Sequence, residues 1–115
     1  MMQALKDSDL ARLGVDVAHF FGGGAYIKET RIPKGAALAQ HGHDHDHLSY
    51  LVSGCVMVTV DGLASFKEGP AAMTIEAGKI HTVQALTDAV WLCVWATDCE
   101  DAAAVDGAIL GRAAA

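Results

Sequence analysis

The sequence predicts an all-β protein, a sandwich or barrel of short strands. Three observations carry that prediction. Glycine punctuates the chain twelve times, against two prolines. The pieces between these breaks are short and rich in alternating or β-branched apolar residues. Turn signals recur about every eight to ten residues, the rhythm of a sandwich or barrel.

The elements follow in order. Leu5, Leu10, Leu13 and Val17 lie at helical spacing and predict a short helix from Leu5 to Val17. The run Phe20-Phe21-Gly22-Gly23-Gly24 breaks it. Ala25 to Ile32 reads as a strand closed by Pro33. Ala36 to His43 is a second strand, and His47 to Val52 a third that stops at Ser53-Gly54. Cys55 to Val60 ends at Asp61-Gly62. Asp-Gly suits the two positive-φ positions of a tight hairpin turn. Leu63 to Lys67 pairs back across that turn. Ala71 to Ile75 follows Gly69-Pro70, and Glu76-Ala77-Gly78 turns the chain again. Ile80 to Ala85 and Val90 to Ala96 complete the strands. The tail, Asp98 to Arg112, opens with an Asp cap and acids in its first turn. Its Ala-rich body predicts a second short helix, weakened by Gly107.

A chain of 115 residues makes a single domain, 1–115, and buries a core without disulfides or a structural metal. The 52% hydrophobic and 19% charged composition excludes a disordered polymer. The formal net charge of −6, without a basic cluster, argues against nucleic acid and anionic membranes as partners. No apolar stretch approaches the roughly 18 residues of a membrane span. Met1 to Leu13 carries Lys6, Asp7, Asp9 and Arg12, unlike a signal peptide. Cys55, Cys93 and Cys99 form no CxxC pair and read as reduced thiols, so a cytoplasmic location is expected.

Four of the six histidines fall within seven residues, His41-Gly42-His43-Asp44-His45-Asp46-His47. A solvated polar loop is the plainest reading of such a tract. The strict alternation argues against it. In an extended strand, alternate residues share a face, so His41 and His43 project together. Two imidazoles at that spacing can share a metal, which needs a third and usually a fourth ligand. His47 and His81 are the candidates.

The glycines around these histidines make the pattern specific. Gly35, five residues, His41-x-His43, three residues, His47, six residues, Gly54 resembles the first motif of the cupin superfamily. That motif has Glu where this chain has His47. Downstream, Gly69 and then Glu76-x-Gly78-x-x-His81 resembles the second cupin motif. There Glu76 stands in place of Pro and Ala85 in place of Asn. The resemblance covers about residues 25–96.

The resemblance implies a cupin-type jelly-roll β-barrel with one divalent metal ion in its mouth. It implies His41, His43 and His81 as ligands and places the fourth ligand on His47. His45 is expected near the site but off the metal. Four neutral imidazoles leave the ion its full positive charge, which suits Fe, Ni, Zn or Cu better than Mg or Ca. The missing Glu also removes an obvious general base. Asp44 and Asp46 either support the imidazoles by hydrogen bonds or are solvated loop carboxylates. The function expected is a small metal-dependent enzyme, dioxygenase-like, acting on a small organic substrate; a lyase is a further option on this scaffold. The alternatives are a non-catalytic small-molecule or metal-binding module, and a metal carrier using the His-Asp tract. The resemblance also implies a homodimer, joined through N-terminal strands or the Trp91/Trp95 face.

Other residues have plainer roles. Tyr50, three residues after His47, falls on the opposite strand face and packs. Tyr26 and Lys28 share one face of their strand, Glu29 and Arg31 the other; either pair can look into the barrel. Trp91, Cys93 and Trp95 share a face and read as core or dimer surface. Cys93 has no cationic neighbour in sequence and is a poor nucleophile candidate. His19 reads as structural or exposed. Gly22-Gly23-Gly24 precedes a strand, so it is not a phosphate loop.

Overall fold

A computed structural model of the chain describes residues 14–40 and 46–97. Nine strands appear there: β1 Asp16–Gly22, β2 Ala25–Ile32, β3 Ala37–Gln40, β4 His47–Ser53, β5 Cys55–Val60, β6 Leu63–Glu68, β7 Ala71–Ile75, β8 His81–Ala85 and β9 Ala89–Ala96. They form two antiparallel sheets in the orders β1-β2-β9-β4-β7 and β3-β8-β5-β6. The fold is the expected all-β jelly roll. The expected tail helix lies outside the described residues, as does most of the expected N-terminal one.

The helix expectation fails where it can be examined. Val17 belongs to β1, which pairs with β2 from Asp16↔Arg31 to Gly22↔Ala25. Phe20 and Phe21 continue this strand rather than break a helix; the chain turns only at Gly23-Gly24. Strand pairing over seven residues outweighs an apolar spacing that was only loosely helical. The β-structure therefore starts at Asp16, before the expected residue 25.

Inside the sandwich, alternate residues of each strand meet in one core. The five-stranded sheet contributes Tyr26, Ile32, Leu51, Trp91, Cys93 and Trp95, all buried. The four-stranded sheet contributes Leu38, Val56, Val58, Val83 and Ala85. The face carrying Trp91 and Trp95 is thus interior, which removes it as a dimer contact. The outward residues of β9 are Leu92 and Val94, both half-buried.

Two turns fix the frame around the histidines. At the β5–β6 hairpin, Asp61 and Gly62 have φ of 47° and 83°, as a type I′ turn requires. Asp61 also holds the approach to β8: its N–H donates to the Ile80 carbonyl at 3.1 Å and its Oδ2 lies 3.1 Å from Lys79 Nζ. The second constraint is Gly54, at φ 90°. A Cβ there would overlap the carbonyl oxygen of Asp88, so the motif glycine is required by both its conformation and its surroundings.

Candidate metal centre

His47 opens β4 and His81 opens β8, on opposite sheets. The period-two alternation of β4 turns His47, Ser49 and Leu51 inward; that of β8 turns His81, Val83 and Ala85 inward. The two imidazoles meet inside the sandwich, 4% and 2% exposed, with ring centroids 6.1 Å apart. Two imidazoles bound to one ion at about 2.1 Å and a tetrahedral angle hold their centroids about 5.3 Å apart. The observed pair stands within about 1 Å of that spacing. Among the described residues no third His, Cys, Asp or Glu joins them in a ligand group. The other expected ligands, His41 and His43, lie outside the described residues, as do Asp44 and His45.

The sequence places two motifs 34 residues apart, and the chain stitches them together. Asp46, just before His47, accepts a 2.7 Å hydrogen bond from the backbone N–H of Ala77. Ala77 belongs to the turn that leads to His81. Asp46 is exposed and ties the two loops together, a role neither of its expected readings included.

Aromatic rings hold His47 from the other side. Trp95 stacks on it with centroids 4.6 Å apart. Tyr26 stacks on Trp95 at 5.3 Å, and Phe21 on Tyr26 at 4.9 Å. The Tyr26 hydroxyl and His19 Nδ1 share a 2.7 Å hydrogen bond. His19 is thus structural, as expected. Stacked rings lose little freedom on binding and hold an imidazole in one plane. Tyr50 points away from His47, also as expected.

Next along each strand from this row of rings is a row of another chemistry. Lys28 on β2 pairs with Cys93 on β9, and Cys93 pairs with Ser49 on β4. The open question of which face of β2 looks inward is thereby answered. Tyr26 and Lys28 are buried, while Glu29 and Arg31 face out and pair with each other at 3.1 Å. Cys93 Sγ lies 3.8 Å from Ser49 Oγ. Burial pushes the Cys93 thiol up; the Lys28 ammonium works against burial and is the weaker influence. The thiol stays protonated, so a nucleophilic role finds no support. A narrow void beside it is lined by Thr30, Leu38, His81, Val83, Trp91 and Cys93. Sequence reading left Lys28 open, in one of two pairs that could look into the barrel, and missed Ser49 as an interior polar group. The phase of β4 contained the signal for Ser49, two residues from His47.

A cleft of about 290 Å³ opens at the other end of the sandwich, lined in part by Asp16, Arg31, Ser53 and Asp88. It has no imidazole or thiol and mixes both signs of charge, so the histidine end remains the better candidate despite its smaller void. Among the described residues, no helix is long and apolar enough to cross a membrane.

Known proteins give the fold independently. The sequence matches no family model and no curated protein. The structure is similar to that of a cupin superfamily protein from Desulfitobacterium hafniense DCB-2, with 16% identity, a TM-score of 0.64 and coverage of 73% of this chain and 78% of that one. It is also similar to KdgF from Halomonas sp., with 17% identity, a TM-score of 0.67 and coverage of 77% and 84%. A third likeness is to a variant salicylate 1,2-dioxygenase from Pseudoaminobacter salicylatoxidans in complex with gentisate. Identity there is 12%, the TM-score 0.65 and coverage 76% of this chain and 29% of that one. At these identities the likeness establishes the fold alone, a cupin-type barrel.

Proposed function

We propose that this cupin-fold chain holds one divalent transition metal ion, Fe, Ni, Zn or Cu, through His41, His43, His47 and His81. We further propose that it acts as a dioxygenase-like oxidoreductase on a small organic substrate. The observation that carries the reading is the meeting of His47 and His81. Two imidazoles from opposite sheets are buried with centroids 6.1 Å apart. Burying two imidazoles side by side removes both from water, and a shared ion gives that burial a purpose. When bound, the ion would supply a Lewis acid and, for Fe, Ni or Cu, a redox-active centre. The chain's own part is to hold the ligands: Trp95 fixes the His47 plane, and Asp61 and Asp46 fix the loops that deliver His81 and His47. The salicylate dioxygenase likeness supports the reaction class at the level of analogy.

Metal content by plasma mass spectrometry tests the reading. Untagged protein, reloaded with each ion and dialysed, is expected to retain near one ion per chain. His47→Ala and His81→Ala are each expected to lose it. No retention in the wild type after reloading with all four ions would overturn the metal centre and leave a ligand-binding module. Retention undiminished in His81→Ala would instead indicate a carrier using the His-Asp tract.

The homodimer is also proposed, through a surface that keeps the N-terminal strands β1 and β2 and leaves out the buried Trp91/Trp95 face. On the outer face of the five-stranded sheet, Phe20, Ile27, Val94 and Leu48 form one cross-strand row. Phe20 and Leu48 are 52% and 46% exposed. Light scattering is expected to give twice the chain mass, and Leu48→Lys to shift it toward monomer. A wild-type monomer at micromolar concentration would end the proposal.

A further inference from the structure

Tyr26 is fully buried, and its hydroxyl lies 2.7 Å from His19 Nδ1. A buried phenol needs a partner for its O–H, and a purely packing role would end with that bond. Here the contacts continue inward. The Tyr26 ring stacks on Trp95 with centroids 5.3 Å apart and planes 15° apart, and Trp95 stacks on His47 at 4.6 Å and 30°. An unbroken run of π-systems thus joins buried His47 to His19, half-buried on the edge strand β1. The order of its members matters. An indole and then a phenol are the ring side chains that give up an electron most readily. Phe21 also stacks on Tyr26, at 4.9 Å, but a phenyl ring resists such loss and serves only as cover. Tyr26, at the outer end, is the member whose labile proton faces a base.

We propose that Tyr26 and His19 form a proton-coupled redox pair, joined through Trp95 to His47, that carries oxidising equivalents out of the barrel one electron at a time. In the forward step a one-electron oxidant takes an electron from Trp95, and Tyr26 returns one to the indole. The phenolic O–H bond breaks and its proton forms an N–H bond at His19 Nδ1. A neutral phenoxyl radical and an imidazolium remain, and the oxidant is reduced by one electron. Electron loss alone would leave a cation at a fully buried ring, which is costly. Proton transfer moves that charge to His19, nearer water. Nδ1 accepts in the tautomer that carries its proton on Nε2. In the reverse step an external reductant of the ascorbate class gives one electron, and the proton returns from Nδ1 to the phenoxyl oxygen. As a route out of the metal centre, with hydrogen peroxide reacting at the ion as the source of oxidant, the proposal rests on the metal-centre reading. As a redox pair it stands on Tyr26 and His19 alone.

Electron paramagnetic resonance of frozen samples reads the pair directly. The chain has two tyrosines, so Tyr50→Phe leaves Tyr26 as the source of any tyrosyl signal. The metal-free Tyr50→Phe protein would be oxidised with photogenerated ruthenium(III) tris-bipyridine. A tyrosyl radical is expected, with a hydrogen-bond coupling at its oxygen that exchanges in D2O. His19→Gln in that background keeps an acceptor for the hydrogen bond but no base for the proton, and should lower the yield about tenfold or more. Iron-loaded Tyr50→Phe protein given hydrogen peroxide is expected to form the same radical. Adding Trp95→Phe should cut that yield, whereas Trp91→Phe, the same truncation on the same face of β9 but off the run, should leave it unchanged. A tryptophanyl signal without a tyrosyl one in the metal-free protein would overturn the pair, and that result needs no change at Tyr26, His19 or Trp95. A yield undiminished in His19→Gln would overturn the proton transfer. Equal yields from the Trp95 and Trp91 variants would overturn the route through Trp95. If no iron is retained, the metal-centre reading and the route from it fall together, while the photo-oxidised radical still decides the pair.

Discussion

The inner face of the five-stranded sheet carries Tyr26, Lys28, Thr30, His47, Ser49, Trp91, Cys93 and Trp95 beside the aliphatic Ile32, Leu51 and Ile75; that of the four-stranded sheet carries Leu38, Val56, Val58, Val83 and Ala85. The two faces close the same core, yet the buried aromatic rings of Tyr and Trp and most of the buried polar groups lie on one, and the other is mainly aliphatic. Among the described residues, His81 is the one titratable group that the aliphatic side buries. The difference shows how a small barrel divides its work. Short β-branched side chains with few rotamers make one wall at low entropic cost. The opposite wall then carries large rings and polar groups, positioned by cross-strand register rather than by loops. A metal centre that draws ligands from both walls would also bind the two sheets to each other.

If the division is real, truncation should cost unequally. Trp91→Ala, on the aromatic wall, should lower stability by about 3–5 kcal/mol. Val58→Ala, on the aliphatic wall and fully buried, should cost about 2 kcal/mol. Each kcal/mol moves Tm by roughly 4–8 °C in a domain of this size, so thermal melting followed by circular dichroism resolves the two. The folded Val58→Ala protein should retain wild-type metal content, because that wall only packs. A Val58 cost equal to that of Trp91 would erase the energetic side of the comparison. Lost metal retention in folded Val58→Ala would erase the functional side.

The aliphatic wall was legible in the sequence because valines alternate there with little ambiguity: Val56, Val58 and Val60 point one way on β5. The hairpin at Asp61-Gly62 was legible for the same reason, since few residue pairs fit that turn. The aromatic wall was harder. On β9 both faces are apolar, so Trp91 and Trp95 could not be told from Leu92 and Val94 as the inward set. On β1, Val17, His19 and Phe21 do alternate, but Phe20 is apolar and points outward at 52% exposure, which hides the period. Lys28 beside Cys93 required the β2–β9 register, a pairing between residues 65 positions apart that no local pattern encodes. The histidine pair stands between these extremes. Motif spacing named His47 and His81 together, and the sheet topology explains why they meet.

The smallest effect separates the two walls by solvent rather than by volume. Cys93 sits in the polar row of the aromatic wall, and burial raises its thiol above the usual range. In the unfolded chain a thiol titrates near about 8.5. Below that pH both states hold the proton, and the contribution of Cys93 to stability is fully present. Above it, the unfolded chain releases a proton that the folded chain keeps, so the contribution is lost as pH rises. The slope reaches at most about 1.4 kcal/mol per pH unit and ends at the folded pKa. Urea midpoints under reducing conditions at pH 7, 8.5 and 9.5 would measure it for the wild type and Cys93→Ala. Every other ionisable group is common to both proteins, so the difference between them isolates Cys93. The gap should be constant up to about pH 8.5 and shift against the wild type above it. Parallel curves through pH 9.5 would mean that water reaches the thiol, and that the row of Lys28, Cys93 and Ser49 is a solvated channel rather than part of a dry wall.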